Sequence, residues 1–121
     1  MFALVVDDSA AMRRIEQKAL EALGWKVTTA CDGQAALEAL AAMERCALML
    51  TDWHMPGMDG LELCRAVRQD DRYQKLCIVM VTSDAVLDSV QSALDAGAND
   101  FLMKPFSAEA LAERVAEVMG G

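Results

Sequence analysis

The chain has 121 residues, 55% of them hydrophobic and 25% charged, with a formal net charge of -8, the composition of one globular domain large enough to hold a core. No apolar run approaches the roughly 20 residues that span a bilayer, and Met1 to Val6 lacks a basic flank before Asp7-Asp8, so no membrane segment or signal peptide is expected and a cytoplasmic chain is predicted. The acidic balance argues against nucleic acid as a partner, because phosphate neutralisation needs a basic stripe.

Ala3-Leu4-Val5-Val6 is the first of several short apolar runs separated by helical patterns, which read as buried parallel strands. Asp7-Asp8 comes directly after it. Ser9 is a fitting N-cap, and Met12, Ile15, Ala19, Leu20 and Leu23 recur at helical spacing up to Gly24, a candidate for the left-handed position past the helix end. Lys26 to Ala30 is short and β-branched, hence a strand. Asp32-Gly33 turns into a second helix with Ala36, Leu37, Leu40 and Ala41 on one face. The third strand, Ala47 to Thr51, leads into Asp52 and then a turn-rich loop from Met55 to Gly60. Asp59 and Glu62 have capping-box spacing and open helix three, whose inner face carries Leu63, Cys64 and Val67.

The fourth strand, Leu76 to Val81, ends at Thr82-Ser83. Asp84 to Ala96 is a weaker helical pattern holding Val86, Val90, Ala93 and Leu94 and ended by Gly97, so this helix is expected to be lightly anchored. Phe101-Leu102-Met103 forms the fifth strand and runs into Lys104-Pro105. Ser107 caps the last helix, Glu109 sits near its positive end, and Leu111, Val115 and Val118 supply its buried stripe.

The register is (βα)₅ and is expected to be one domain over 1–121, with no linker and no appended output module. Right-handed crossovers place helices on both faces of such a sheet. The strand order 2-1-3-4-5 is taken from known flavodoxin-like sheets, and it sets strands one and three side by side. Ligands of open parallel sheets bind outside the carboxyl ends of the strands. Asp7, Asp8, Asp52, Thr82 and Lys104 all fall on that edge. Cys31, Cys46, Cys64 and Cys77 are spread singly and read as small buried hydrophobes. With one histidine and no paired cysteines, zinc is not expected.

These residues resemble the receiver domain of bacterial two-component response regulators, closest to single-domain chemotaxis regulators. Asp7-Asp8, Asp52 to Leu63, Val81-Thr82-Ser83 and Phe101 to Phe106 carry the resemblance, in register over the whole chain. It implies that Asp52 accepts a phosphoryl group from the phosphohistidine of a histidine kinase or phosphotransfer protein. It further implies that Asp7, Asp8 and Asp52, with the backbone carbonyl of His54, bind Mg²⁺, with Mn²⁺ as an alternative. Chemistry supports both roles separately. Converging carboxylates repel one another and favour a divalent cation. Hard oxygen ligands suit Mg²⁺ or Mn²⁺, and a carboxylate can attack phosphorus. Lys104 would then add positioning and charge stabilisation.

Thr82 and Phe101 match the family's switch pair. A charge-assisted hydrogen bond from Thr82 contributes roughly 1.5–3 kcal/mol, whereas a complete two-state switch needs about 5.5 kcal/mol. Lys104 and the metal must therefore also favour the phosphorylated form. Two departures limit the likeness. Phe101 stands where chemotaxis members often carry Tyr, and His54 where they often carry Asn. With Asp84, His54 would flank the path of the hydrolytic water and set the lifetime of the acyl phosphate.

The expected output is a partner-binding face formed by helix four, strand five and helix five, on a monomer or a weak phosphorylation-dependent dimer. No enzymatic activity is expected beyond phosphorylation from a donor and slow loss of the group. A receiver cut from a longer hybrid protein is an alternative reading. A Mg²⁺-dependent aspartyl phosphohydrolase is weaker, since Asp52-Trp53-His54 lacks a second acid two residues on and no cap is inserted. An FMN binder is weaker still, because Asp7-Asp8 would repel the phosphate.

Overall fold

A computed structural model of the chain describes residues 1–83 and 87–120. The strands are β1 (Phe2–Val6), β2 (Lys26–Ala30), β3 (Cys46–Asp52), β4 (Cys77–Thr82) and β5 (Asp100–Met103). The helices are α1 (Ala10–Ala22), α2 (Gly33–Ala42), α3 (Gly60–Arg68), α4 (Leu87–Asp95) and α5 (Ala108–Val118). The strands make one sheet in the order β2-β1-β3-β4-β5, with every pair parallel. A short 3-10 turn at Asp71–Tyr73, absent from the sequence reading, leads into β4.

Alternation along the strands divides the interior in two, because successive side chains point to opposite faces. Ala3, Val5, Leu48, Leu50, Val79, Val81 and Leu102 pack with Leu20 of α1 and Leu111 and Val115 of α5. Leu4, Val6, Met49, Ile78 and Met80 face the other way, onto Ala36, Leu40, Leu63, Cys64, Val67 and Ala93 of α2, α3 and α4. The central strands are covered on both sides, which is why they read as continuous apolar runs.

Local signals placed the helix ends well. Ser9, Asp32, Asp59 and Ser107 each accept a backbone N–H as N-caps, and Asp59 and Glu62 complete a reciprocal capping box. Gly24 and Gly97 take φ of +95° and +110°, a region costly for any residue with a Cβ. Arg68 ties α3 to the loops beneath β4 and β5, donating to the carbonyls of Gly97 and Tyr73 and to Asn99 Oδ1.

The inner faces were less well read. On α1 the buried residues are Glu16 and Leu20, while Ile15 and Leu23 of the expected stripe are 54% and 47% exposed. Residues 12, 16 and 20 share one helical face, and the packing of α1 on the sheet turned that face inward. On α2, Ala36 and Leu40 are buried and Ala41 is exposed. All four cysteines are free thiols, but only Cys64 is fully buried and Cys31 is exposed, contrary to the expected burial. Among its described side chains α4 buries the small residue Ala93, Ala96 is buried just past its end, and Leu94 is 42% exposed, in keeping with light anchoring. The expected start of that helix at Asp84 lies outside the described residues.

Candidate functional site

Four chain segments meet beyond the carboxyl ends of the strands. Asp7 continues β1: its backbone N–H donates to the Ala30 carbonyl at 3.1 Å. Its Oδ1 accepts from the Ser9 N–H at 2.8 Å, and its carbonyl from Arg13 Nη1 at 2.7 Å. Asp52 ends β3 opposite Val81 of β4, and the next N–H, of Trp53, bonds the Val81 carbonyl at 3.0 Å. The backbone N–H of Lys104 bonds the Thr82 carbonyl at 2.8 Å, carrying the β5 end to the same edge. The adjoining Lys104-Pro105 peptide is cis.

Side chains converge accordingly. One carboxylate oxygen from each of Asp7, Asp8 and Asp52 lies within 4.8 Å of the others. Asp7 and Asp52 are buried, at 1% and 8% exposure, and Asp8 is exposed to solvent. Lys104 Nζ stands 3.1 Å from both Asp7 Oδ2 and Asp52 Oδ1. Thr82 is buried at the end of β4, on the same edge.

Charge balance gives this cluster its chemistry. Burial raises the Asp52 pKa, the neighbouring Asp7 charge raises it further, and Lys104 pulls it back. Burial alone would lower Lys104, but its hydrogen bonds to Asp7 and Asp52 outweigh that and raise it. Three carboxylates facing one ammonium leave two formal negative charges unbalanced. Such a set of hard oxygen donors fits a divalent cation of the Mg²⁺ type.

Other expected site residues are placed differently. His54 is exposed and its ring stacks on Trp53, with centroids 6.2 Å apart at an interplanar angle of 26°. Phe101 is half-buried against the α2–α4 side of the core, with the Arg114 guanidinium 5.8 Å from its ring centroid. Arg114 also pairs with Asp100 at 3.1 Å, so the ring is flanked by an ion pair. Asp84 lies outside the described residues.

Two residues of the site escaped the sequence reading. Gly60 opens α3 directly beneath Asp52: its N–H bonds the Trp53 carbonyl at 2.8 Å, and a Cβ there would lie 2.4 Å from the Asp52 carbonyl oxygen. The other is Glu16, 1% exposed, whose Oε2 has no hydrogen-bond partner among the described residues. Burial raises its pKa from 4.5 to about 8, helped by the Asp7 and Asp52 charges and opposed by Lys104. The clue was present in the four-residue spacing of Met12, Glu16 and Leu20.

Adding Mg²⁺ is expected to change the emission of Trp53, which adjoins Asp52 and is partly buried. The measurement is a Mg²⁺ titration in a Trp25→Phe background. A flat trace through millimolar Mg²⁺ would count against cation binding by the three aspartates.

The response regulator receiver domain family matches residues 3–116. The chemotaxis protein CheY1 of Helicobacter pylori is 41% identical over 121 residues, spanning 99% of this chain and 98% of that protein. The chemotaxis protein CheY of Pseudomonas aeruginosa is 42% identical over 119 residues, spanning 98% and 95%. The crystal structure of the chemotaxis protein CheY4 of Vibrio cholerae is similar throughout, with a TM-score of 0.92 at 33% identity and 97% of each chain covered.

Proposed function

The chain belongs to the response regulator receiver family, and on that premise we propose that it is a phosphorylation-controlled binding switch whose acceptor is Asp52. The observation that carries this reading is the Lys104 ammonium held 3.1 Å from both Asp7 and Asp52 at the open edge of the sheet. One oxygen of Asp52 attacks the phosphorus of a phosphohistidine. The P–N bond breaks, its electron pair stays on the departing imidazole, and an aspartyl phosphate results. Lys104 then shares its positive charge with the phosphoryl oxygens, and Thr82 donates its hydroxyl proton to one of them. Mg²⁺ or Mn²⁺ held by Asp7, Asp8, Asp52 and the His54 carbonyl would neutralise charge as the phosphoryl group is transferred.

The output face is α4, β5 and α5. Exposed Leu94 and Met103 on that side, at 42% and 45%, supply apolar area for a partner. Phe101 and Thr82 link it to the acceptor: as Thr82 turns toward the phosphoryl group, Phe101 moves deeper. A histidine kinase or phosphotransfer protein supplies the phosphoryl group, and a target protein in a chemotaxis-type pathway reads the face. The protein turns over no external substrate in this scheme and works in the cytoplasm. Among the described residues no helix is long and apolar enough to cross a membrane. His54 would flank the path of the hydrolytic water and set the lifetime of the signal.

The test is intact mass after incubation with acetyl phosphate and Mg²⁺, with the modified peptide mapped. One added phosphoryl group on the peptide containing Asp52, and none on Asp52→Asn, is expected. Label that persists in Asp52→Asn, or maps elsewhere, would remove Asp52 from this role. In the same assay His54→Asn is expected to change the decay rate of the label, and an unaltered rate would exclude His54 from the water's path.

A further inference from the structure

β5 is an edge of the sheet, so backbone groups on its outer side have no neighbouring strand. The N–H of Lys104 bonds the Thr82 carbonyl of β4, and by alternation that of Phe101 points to the open edge. There it donates to Oδ1 of the preceding residue, Asp100, at 2.8 Å. The other carboxylate oxygen, Oδ2, accepts from Arg114 Nη1 of α5 at 3.1 Å. The same guanidinium lies 5.8 Å from the centroid of the Phe101 ring, within the range at which a cation is attracted to an aromatic face. Asp100, Phe101 and Arg114 therefore close a loop. One carboxylate holds the backbone of Phe101 and also the cation that covers its side chain. Glu117, one turn further along α5, accepts from Nη1 as well, at 3.4 Å. The Arg114 and Asp100 side chains are 32% and 25% exposed, so their attraction is screened less than that of a fully solvated pair. The placement has a cost: Arg114 Nε is buried with no partner among the described residues. A guanidinium serving Asp100 alone could keep that N–H in water. The ring contact is the attraction that the observed position adds.

We propose that Arg114 is a positioning residue for Phe101, a latch that holds the ring in its half-buried place until Asp52 is phosphorylated. This inference rests on the reading above, in which Phe101 moves deeper as Thr82 turns toward the phosphoryl group. As the ring moves inward it leaves the guanidinium, which stays tied to Asp100 and Glu117. The contact is thus made in one position of the ring and lost in the other, and only such a difference can bias the two. Phosphorylation has to overcome it. A phenylalanine has no hydroxyl with which to hydrogen-bond at the edge, so the cation supplies the specific outward hold. Removing that cation shifts the resting protein toward the inward arrangement by about fivefold, the ratio that one partly exposed cation–π contact supports. Asp100 acts through Arg114. Its charge keeps the guanidinium over the ring, and losing that charge loosens the latch without removing it.

The experiment follows the ring itself, by fluorine NMR of protein carrying para-fluorophenylalanine at Phe2, Phe101 and Phe106. The Phe101 signal is the one missing from Phe101→Leu. Spectra of the parent are taken before and after acetyl phosphate with Mg²⁺, and intact mass reports the added phosphoryl group. The parent signal is expected to move on phosphorylation, which sets the direction of the inward arrangement. Without a phosphodonor, Arg114→Met keeps the apolar stem and loses the charge. Its signal is expected to be displaced toward the phosphorylated position, with the inward-to-outward ratio raised about fivefold. Arg114→Lys is expected to stay at the parent position, since the contact to Asp100 runs through one nitrogen, which a lysine can supply. Asp100→Asn keeps an acceptor for the Phe101 N–H and is expected to move the same way by a smaller factor, about twofold. An Arg114→Met signal that coincides with the resting parent, or moves away from the phosphorylated position, would overturn the latch. So would an Arg114→Lys signal displaced as far as that of Arg114→Met, because a merely structural role would give that result. Should Arg114→Met not fold, Asp100→Asn decides, and a signal at the parent position there overturns the proposal. If the parent gains the phosphoryl mass but its Phe101 signal stays still, the switch reading of Phe101 fails and this inference with it. If no phosphoryl mass appears, the receiver reading itself fails, and the latch falls too. A parent that gains both mass and shift, beside an unmoved Arg114→Met, overturns only the role of Arg114.

Discussion

Glu16→Leu is expected to raise the stability of this domain by about 3 kcal/mol at pH 7, and by more at higher pH. Glu16 is 1% exposed, has an oxygen without a partner among the described residues, and is raised by burial from 4.5 to about 8. The folded state therefore keeps a proton that the unfolded chain gives up above pH 4.5. Where the folded state binds the extra proton, stability falls as pH rises. The contribution of Glu16 is thus complete below the unfolded value, declines between 4.5 and about 8, and is constant above that. Leucine has no proton to bind, so the difference between the proteins widens across the same window. It reaches about 5 kcal/mol at its upper end. A change of 1 kcal/mol moves the melting temperature of a domain of this size by about 4 °C, so a rise of about 12 °C is expected at pH 7. Urea unfolding at pH 5, 7 and 9 without divalent cation checks this. A gain that does not change with pH, or a leucine variant less stable than the parent, would show that Glu16 is charged and compensated in the folded protein.

Gly60→Ala is expected to damage both fold and site. The added Cβ would stand 2.4 Å from the Asp52 carbonyl oxygen, 2.8 Å from Met80 Sδ and 3.0 Å from Trp53 Cα. Met80 can turn its sulfur aside, but the two backbone atoms lie at and just past the end of β3 and can yield only if Asp52 moves. A destabilisation of about 2–3 kcal/mol is expected from such overpacking. The labelling rate is expected to fall about 100-fold, because displacing a reacting group by about 1 Å costs on that order. Gly24→Ala is the comparison. Nothing lies within 4 Å of a Cβ there, and its φ of +95° alone makes the change unfavourable, by about 1 kcal/mol. That variant is expected to label at the parent rate. If Gly60→Ala labels and unfolds like Gly24→Ala, close packing under Asp52 is not what holds the acceptor in place.

Much of the architecture was legible because it rests on short-range physics. Caps at Ser9, Asp32, Asp59 and Ser107, and glycines at 24 and 97, satisfy backbone groups within a few residues of themselves. Apolar runs of strand length declare a sheet covered on both faces. The site was legible through spacing: Asp7-Asp8, Asp52, Thr82 and Lys104 each lie at or just past a strand's carboxyl end, and parallel strands bring all of those ends to one edge. Gly60 was hidden because its neighbour in space is a carbonyl eight positions earlier. The stacking of Trp53 on His54 depends on the path of the loop, which residue type does not dictate.

Sequence by itself determined the alternation of strands and helices, where most of them begin and end, and which residues reach the carboxyl edge. Those properties arise from hydrogen bonding and apolar periodicity within a segment. Tertiary structure alone decided that the Lys104 ammonium bridges Asp7 and Asp52 across 97 and 52 positions of chain. It also decided that α1 turns Glu16 inward and leaves Ile15 in water. Two neighbouring faces of an amphipathic helix differ by one residue's rotation, and only the surface it packs against selects between them.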